Sequence, residues 1–137
     1  KRAPFTHGSG MDGGFGGDRE KQRRGRAGES AAAGYLVAHG YAILATNVRC
    51  ARWELDMIAR QGEILVFVEV RSRSTLQYGC PSETVNHRKQ QHIARAASLW
   101  LRGRQAICPI RFDVIAVTWR AGRASCRHFP DAFQSPL

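Results

Sequence analysis

Hydrophobic residues in the first half of the chain change from helical spacing to strand spacing. Apolar side chains recur at helical intervals over 27–39, which predicts a helix that Gly40 ends as a C-cap. Three strands are then predicted, over 41–48, 53–59 and 64–71. The last two are joined by residues 60–63. This connection is short enough to require an antiparallel hairpin, with Gly62 available for a positive φ angle.

The two strands of this hairpin differ in their pattern. In the first of them, strict alternation places Glu54, Asp56 and Ile58 on one face and Leu55, Met57 and Ala59 on the other. The second is apolar on both faces along most of its length, which is typical of a central strand covered on both sides. Its exceptions are Glu69 and Arg71. They share a face, because side chains in a strand repeat every two positions.

The second half of the chain continues with a loop, a helix and two further strands. The loop is predicted over 72–83, and the helix ends at Gly103 after an apolar stripe that begins at Ile93. A strand over 112–118 and an edge strand over 124–129 follow. The order helix, three strands, helix, strand predicts an α/β fold with a mixed central sheet flanked by helices. Residues 1–18 are glycine-rich and are predicted to form a flexible tail, which leaves 19–137 as one domain.

The charge balance favours a polyanionic partner. The chain has 21 Lys and Arg against 11 Asp and Glu, a net charge of +10, and most of the excess lies in the second half. Phosphate neutralisation by such residues drives nucleic-acid binding, and the charge balance leaves DNA and RNA open. No segment reaches the roughly 20 apolar residues of a membrane-spanning helix, and no secretory signal is evident. Four widely spaced cysteines are expected to be reduced thiols in a cytoplasmic protein.

Basic residues cluster at the starts of the predicted helices and after the third strand. They are candidate phosphate contacts, and for the first cluster a solvated helix start is an equal alternative. The candidates are Arg23, Arg24, Arg26, Arg73, Arg88 and Lys89.

Two carboxylates on neighbouring apolar strands form the candidate chemical site. Burying Asp56 and Glu69 together is costly unless a cation lies between them. Mg²⁺ or Mn²⁺ could supply it, since Mg²⁺ takes oxygen ligands and is often held by one or two carboxylates. A structural network with Arg71 or Lys89 is the alternative. Glu29 points with the core face of the first helix, either as a cap or toward the end of the sheet.

Five segments carry a resemblance to a known family. They are "GESAAAGYLVAHGYAILATNVRC", "ELDMIARQGEILVFVEVRSR", "HRKQQHIARAASLWL", "RFDVIAV" and "FPDAF". Together they resemble the YraN family, bacterial proteins of unestablished function often labelled as endonucleases, within the PD-(D/E)xK nuclease superfamily. The similarity runs from about Arg24 to Phe133. It implies the restriction-endonuclease-like core, in the same order of helices and strands.

The resemblance also implies roles for individual residues. Asp56, Glu69 and the main-chain carbonyl of Val70 would hold the metal, and Glu29 would complete the acidic site. Lys89 matches a lysine at the start of the family's second helix, and Glu54 matches the glutamate of the family's "GEID" segment. The metal would position and activate a water for attack on a phosphodiester, and the resemblance to nucleases makes DNA rather than RNA the expected partner.

Two positions depart from the family pattern. Arg71 stands where lysine is expected. An arginine can clamp phosphate and stabilise developing charge, but it cannot accept a proton. Trp53 stands where glycine is expected, and it either fills space at the start of a strand or stacks on an unpaired base. We therefore carry three hypotheses: a metal-dependent DNA nuclease, a nucleic-acid-binding protein without the chemistry, and a protein that binds an acidic protein partner.

Overall fold

The computed structural model describes residues 25–73, 85–104 and 107–137 of the chain. Within these ranges residues 25–38 are helical and form α1. The remaining elements are β1 (Ala42–Cys50), β2 (Trp53–Gln61), β3 (Ile64–Arg73), α2 (His87–Arg102), β4 (Ile110–Arg120) and β5 (Arg123–Phe133). The predicted order of helices and strands is confirmed. The final strand is longer than the segment 124–129 that the sequence indicated.

All five strands belong to one mixed sheet, in the order β1-β2-β3-β4-β5. β3 and β4 are parallel, and every other neighbouring pair is antiparallel. β3 is therefore the central strand, as its two apolar faces predicted. The β2–β3 hairpin closes with Gln61 paired to Ile64, and Gly62 has the expected positive φ of 60°.

A hydrophobic core lies on each face of this sheet. On one face α1 buries Ala32 and Leu36 against Val66, Val68 and Ile115, among others. On the other face α2 packs against β2, β3 and β4; its buried residues there include Ile93 and Ala97, which contact the cluster of Ile58, Phe67 and Phe112. Helices on both faces explain why β3 carries apolar residues on both sides, and they give the sheet the flanked arrangement that was predicted.

The alternation predicted for β2 is wrong at one position. Met57 and Ala59 lie in the core under α1, as expected of residues that share a face. Leu55, predicted to share that face, instead packs in the core under α2 together with Ile58. The pairing of β2 with β3 extends from Gln61 only as far as Met57, whereas its pairing with β1 continues to Trp53. The start of β2 is therefore held on one side only, which permits extra twist there.

Several predictions fall outside the described residues. They are the glycine-rich tail over 1–18, Arg23, Arg24 and most of the loop over 72–83. In the described ranges Cys50, Cys108 and Cys126 are free thiols. None of the described helices is long and apolar enough to cross a membrane.

Candidate active site

The candidate site lies where β2 separates from β3. Their ladder of paired residues ends at Met57 and Val68, one position before Asp56 and Glu69 would face each other. Beyond that point the main-chain N–H of Val70 donates to Oδ2 of Asp56 over 2.9 Å. A side-chain carboxylate thus replaces a main-chain acceptor at the opening between the strands. This bond fixes Asp56 beside the end of β3.

Glu69 is one of two buried charged residues among those described, with 6% of its surface exposed. Its Oε2 lies 3.4 Å from Nε of Arg71 and 3.8 Å from Nζ of Lys89. Burial, followed by the charge of Asp56, raises the pKa of Glu69 to about 8 in spite of these two cations. The fold therefore holds a carboxyl group that its own surroundings do not fully stabilise as an anion.

The two cations approach Glu69 from different elements. Lys89 lies in the first turn of α2, where Asn86 caps the helix by accepting the Lys89 main-chain N–H over 2.9 Å. Arg71 follows Glu69 on β3 and lies on the same face. The Nε of Arg71 is buried and has no hydrogen-bond partner within the described ranges. A buried donor without a partner is costly, so Arg71 contributes an unsatisfied donor next to Glu69.

Glu29 reaches the same end of the sheet from the opposite face. α1 passes close to β3 at Gly28, where a Cβ atom would lie only 3.3 Å from the Cβ and Oγ of Ser72. Burial raises the pKa of Glu29, a hydrogen bond with Asn47 lowers it, and the charges of Asp56 and Glu54 raise it further. The negative charge of Asp56 therefore acts on the carboxyl group of Glu29. No set of three His, Cys, Asp or Glu side chains in the described residues has an arrangement that could hold a metal ion.

The remaining predicted residues lie at the surface or outside the described ranges. Glu54 is exposed and forms a 3.8 Å ion pair with Arg49 on β1. Arg26 and Arg88 are exposed at the starts of α1 and α2. Arg73 ends β3, and its side chain is not among those described. The structure therefore brings together Asp56, Glu69, Arg71 and Lys89, with Glu29 nearby.

Comparison with known proteins identifies the family. The model of the uncharacterised protein family UPF0102 matches residues 28–117, a span that includes Glu29, Asp56, Glu69 and Lys89. This chain belongs to UPF0102. UPF0102 is the YraN family, so the match confirms the family membership inferred from the sequence.

Relatives of similar length support the assignment to UPF0102. A UPF0102 protein of Anaeromyxobacter dehalogenans is 46% identical over 125 residues, which cover 90% of this chain and 93% of that protein. One from Symbiobacterium thermophilum is 47% identical over 116 residues, covering 83% and 98%. One from Geobacter metallireducens is 43% identical over 111 residues, covering 80% and 91%.

This UPF0102 chain also contains a polar cluster that the sequence reasoning missed. Asp113 on β4 is completely buried on the face under α1. Its Oδ1 accepts from Nε of Arg111 over 2.8 Å and from the Asp131 N–H over 2.9 Å. Its Oδ2 lies 2.8 Å from Nη2 of Arg111 and 2.7 Å from Nε2 of His128. Arg111 also donates to the hydroxyl of Tyr41 over 2.7 Å.

A sequence signal for this cluster exists. Asp113 interrupts an apolar strand, just as Glu69 does. Arg111 precedes Asp113 by two positions on β4 and so shares its face, and His128 lies opposite Ile115 on β5. The Asp131 N–H reaches Asp113 at a register shift between β4 and β5, where Asp131 has a positive φ of 54°. Strand spacing alone does not reveal such a shift. Of the two buried carboxylates, only Glu69 lies beside a second carboxylate at an opening between strands.

Proposed function

We propose that the protein is a metal-dependent nuclease that hydrolyses phosphodiester bonds in DNA. The observation that carries this proposal is the buried carboxyl group of Glu69, held beside Asp56 where β2 and β3 separate. Two neighbouring carboxylates in a site of low exposure are stabilised as anions by a divalent cation. Membership of UPF0102 places these residues within the segment that the family shares.

The donor set fits a hard divalent cation. Asp56, Glu69 and the main-chain carbonyl of Val70 would hold Mg²⁺ or Mn²⁺, because oxygen ligands suit such ions. When bound, the ion would lower the pKa of a coordinated water and neutralise charge that develops on the phosphate. Two side-chain carboxylates are enough for Mg²⁺, which usually keeps several waters and also binds substrate phosphate.

Arg71 and Lys89 have distinct tasks in this proposal. The Arg71 side chain is 30% exposed, and a guanidinium group keeps its positive charge at every accessible pH, so this side chain is suited to donate to a phosphate oxygen. Lys89 lies within 3.8 Å of the same Glu69 oxygen, and an amine, unlike a guanidinium group, is able to give up or accept a proton. Arg71 therefore binds and orients phosphate, and Lys89 takes the proton-transfer role that Arg71 cannot perform.

The surroundings of the pair favour a polyanionic substrate. The chain carries a net charge of +10, and Arg26 and Arg88 are exposed at the helix starts that flank the acidic pair. Such residues neutralise phosphates without reading bases, so they support a nucleic acid as the substrate without defining its sequence.

Cleavage of a panel of labelled DNA structures tests the proposal. The full chain with Mg²⁺ or Mn²⁺ should cut at least one of the single-stranded, flapped, branched or duplex forms, and chelator should abolish cutting. Asp56→Asn and Glu69→Gln should each lose at least about 100-fold in rate, as expected when a group that stabilises the transition state is removed. Glu54→Gln is the matched control, since Glu54 is an exposed carboxylate on the same strand, and it should cut at close to the parent rate. Absence of cutting on every form, or equal cutting by Asp56→Asn, contradicts the proposal.

The Arg71→Lys variant tests the division of tasks. A lysine at this position can lose its proton, so cleavage should rise by about tenfold or more if proton transfer limits the rate. A fall in the rate would instead show that phosphate binding by the guanidinium matters more.

A nucleic-acid-binding protein without catalytic activity is the second candidate. The observation in its favour is Arg71 at the position where the family pattern has lysine. Under this function Asp56→Asn in chelator should bind DNA at least as tightly as the parent, because the change removes a negative charge that repels phosphate. Binding that disappears without metal would argue against it.

A further inference from the structure

Trp53 carries two guanidinium groups over its indole ring. The Cζ of Arg52 lies 4.9 Å from the ring centroid and the Cζ of Arg95 lies 5.7 Å from it. The imidazole of His92 is tilted against the same indole, with 6.4 Å between the ring centroids. Trp53 is partly exposed, and both arginines are exposed. One aromatic side chain at the surface is thus combined with two cations.

These two arginines are not used in ion pairs within the described ranges. The basic residues that form ion pairs there are Arg49, Arg71, Lys89, Arg111 and His128. Within the described part of the chain no carboxylate neutralises the positive charge at Trp53, and both arginines are exposed. α2 extends the same surface, because Arg88, His92 and Arg95 follow one another at intervals of four and three residues and so share one side of the helix.

The local backbone presents Arg52 to the indole. Cys50 pairs with Trp53 across the β1–β2 hairpin, and the turn between them consists of Ala51 and Arg52 alone. Ala51 has a φ of 57°, a left-handed conformation that is uncommon for a residue with a Cβ atom. A tight turn kept in this conformation holds Arg52 next to Trp53.

This surface adjoins the acidic pair. Trp53 precedes Asp56 by three positions on β2, which corresponds to about 10 Å along a strand. His92 follows Lys89 by three positions on α2, about 4.5 Å along a helix axis. At 3.4 Å per nucleotide of a stacked strand, Trp53 is separated from Asp56 by about three nucleotides.

We propose that Trp53, Arg52 and Arg95 bind an unpaired nucleobase and its adjoining phosphate in a DNA strand that passes over Asp56 and Glu69. An indole stacks on any base whose face is free, and a guanidinium group either stacks beside it or binds phosphate. A base inside a duplex has both faces covered by its neighbours and cannot use this surface without unstacking. The surface therefore selects single-stranded DNA or the unpaired part of a branched structure.

The inference deepens the proposed nuclease function by naming its substrate class, and it is tested without catalysis. Binding of the full chain to labelled oligothymidylate and to a duplex of equal length is measured by anisotropy in chelator. Trp53→Ala should weaken single-strand binding by about tenfold, the scale of one base–aromatic stack, and change duplex binding by less than about twofold. The ratio of the affinity for the single strand to the affinity for the duplex is the measurement that tests the inference.

A matched control is available at the other end of α2. Arg104 lies 3.9 Å from the centroid of Trp100, in the same kind of contact as Arg95 with Trp53. Arg104→Gln and Arg95→Gln remove the same charge from equivalent pairs. We expect Arg95→Gln to lower the single-strand preference several-fold and Arg104→Gln to leave it unchanged.

The outcomes separate this surface from the nuclease itself. Trp53 also packs against the core under α2, so a substitution there could disturb the fold. If Trp53→Ala is unfolded by circular dichroism, the exposed pair Arg52→Gln and Arg95→Gln decides through the same ratio. An unchanged ratio in the folded variants overturns the inference and leaves Trp53 as a space-filling residue, whatever the cleavage panel gives. If the ratio of single-strand to duplex affinity depends on Trp53 but the protein cuts no DNA, the binding surface is supported and the nuclease function is rejected.

Discussion

Two buried carboxylates on neighbouring strands of one sheet have opposite surroundings. Asp113, on the face under α1, receives hydrogen bonds on both oxygens from Arg111, His128 and the main chain of Asp131. Glu69, on the face under α2, lies beside Asp56, with Arg71 and Lys89 at 3.4 and 3.8 Å from a single oxygen. Their exposures are similar, at 0% and 6%.

The pKa values of the two groups respond in opposite directions. Burial opposes ionisation of Asp113, but hydrogen bonds from His128, Arg111 and Asp131 together outweigh it and lower the pKa. Burial together with the charge of Asp56 raises the pKa of Glu69 to about 8. The charge of Asp113 is thus satisfied within the fold, whereas that of Glu69 is stabilised only when something outside the chain contributes. A carboxylate with a structural role is expected to have its partners within the fold, as Asp113 does. A carboxylate that binds a ligand is expected to lack them, as Glu69 does.

Removing the charge of Asp113 should have the largest effect on stability. Asp113→Asn leaves the half-buried guanidinium group of Arg111 beside a neutral amide, and the free energy of unfolding should fall by about 3–5 kcal/mol. Urea unfolding at pH 7 measures the change. Asp131→Asn is the control, since its side chain is exposed, and it should stay within about 0.5 kcal/mol of the parent. A loss below about 1 kcal/mol for Asp113→Asn would show that the cluster is not a structural anchor.

The corresponding change at Glu69 should stabilise the fold. In chelator at pH 9, Glu69→Gln removes a poorly compensated buried charge and should raise the free energy of unfolding by about 1–3 kcal/mol. At pH 5, where Glu69 keeps its proton in the fold, the variant and the parent should agree. Glu54→Gln serves as the exposed control. Destabilisation at both pH values would mean that Glu69 is as well satisfied as Asp113, and the contrast between them would be lost.

The stability of the parent should change with pH through both carboxyl groups, and the two slopes should have opposite signs. A carboxyl group with a raised pKa holds its proton more tightly in the fold than in the unfolded chain. Glu69 therefore favours the fold at low pH, and stability declines as the pH rises from about 4.5 to about 8. Asp113 has a lowered pKa, so its contribution is present above its unfolded pKa of about 3.9 and is lost as the pH falls below it. Each limb has a slope of at most about 1.4 kcal/mol per pH unit, and thermal unfolding in chelator from pH 3 to 9 resolves them. A parent profile without a decline above pH 5 would contradict the assignment for Glu69.

The sequence predicted the fold more completely than it predicted this contrast. Hydrophobic periodicity and turn residues were enough to place α1, α2 and the strands, because core burial decides which face of each element points inward. The prediction from periodicity failed at Leu55, whose side chain lies on the opposite face of β2 from the predicted one, close to where the pairing of β2 with β3 ends. Glu69 and Asp113 look alike in the sequence, since each is an acid in an apolar strand. Only the partners brought by distant segments, His128 and Asp131 for one and Lys89 for the other, make them different.

Addition of metal should stabilise the folded protein through Glu69, by less than the substitutions above change the free energy of unfolding. An ion that binds only the folded protein stabilises it by about 1.4 kcal/mol at ten times its dissociation constant. Mg²⁺ or Mn²⁺ should therefore raise the unfolding midpoint of the parent at pH 8 and fail to do so for Glu69→Gln. Asp131→Asn should respond as the parent does, because it leaves Asp56 and Glu69 intact. Equal stabilisation of the parent and Glu69→Gln would place the ion elsewhere, and the site beside β3 would then be an acid–base network closed by Arg71 and Lys89.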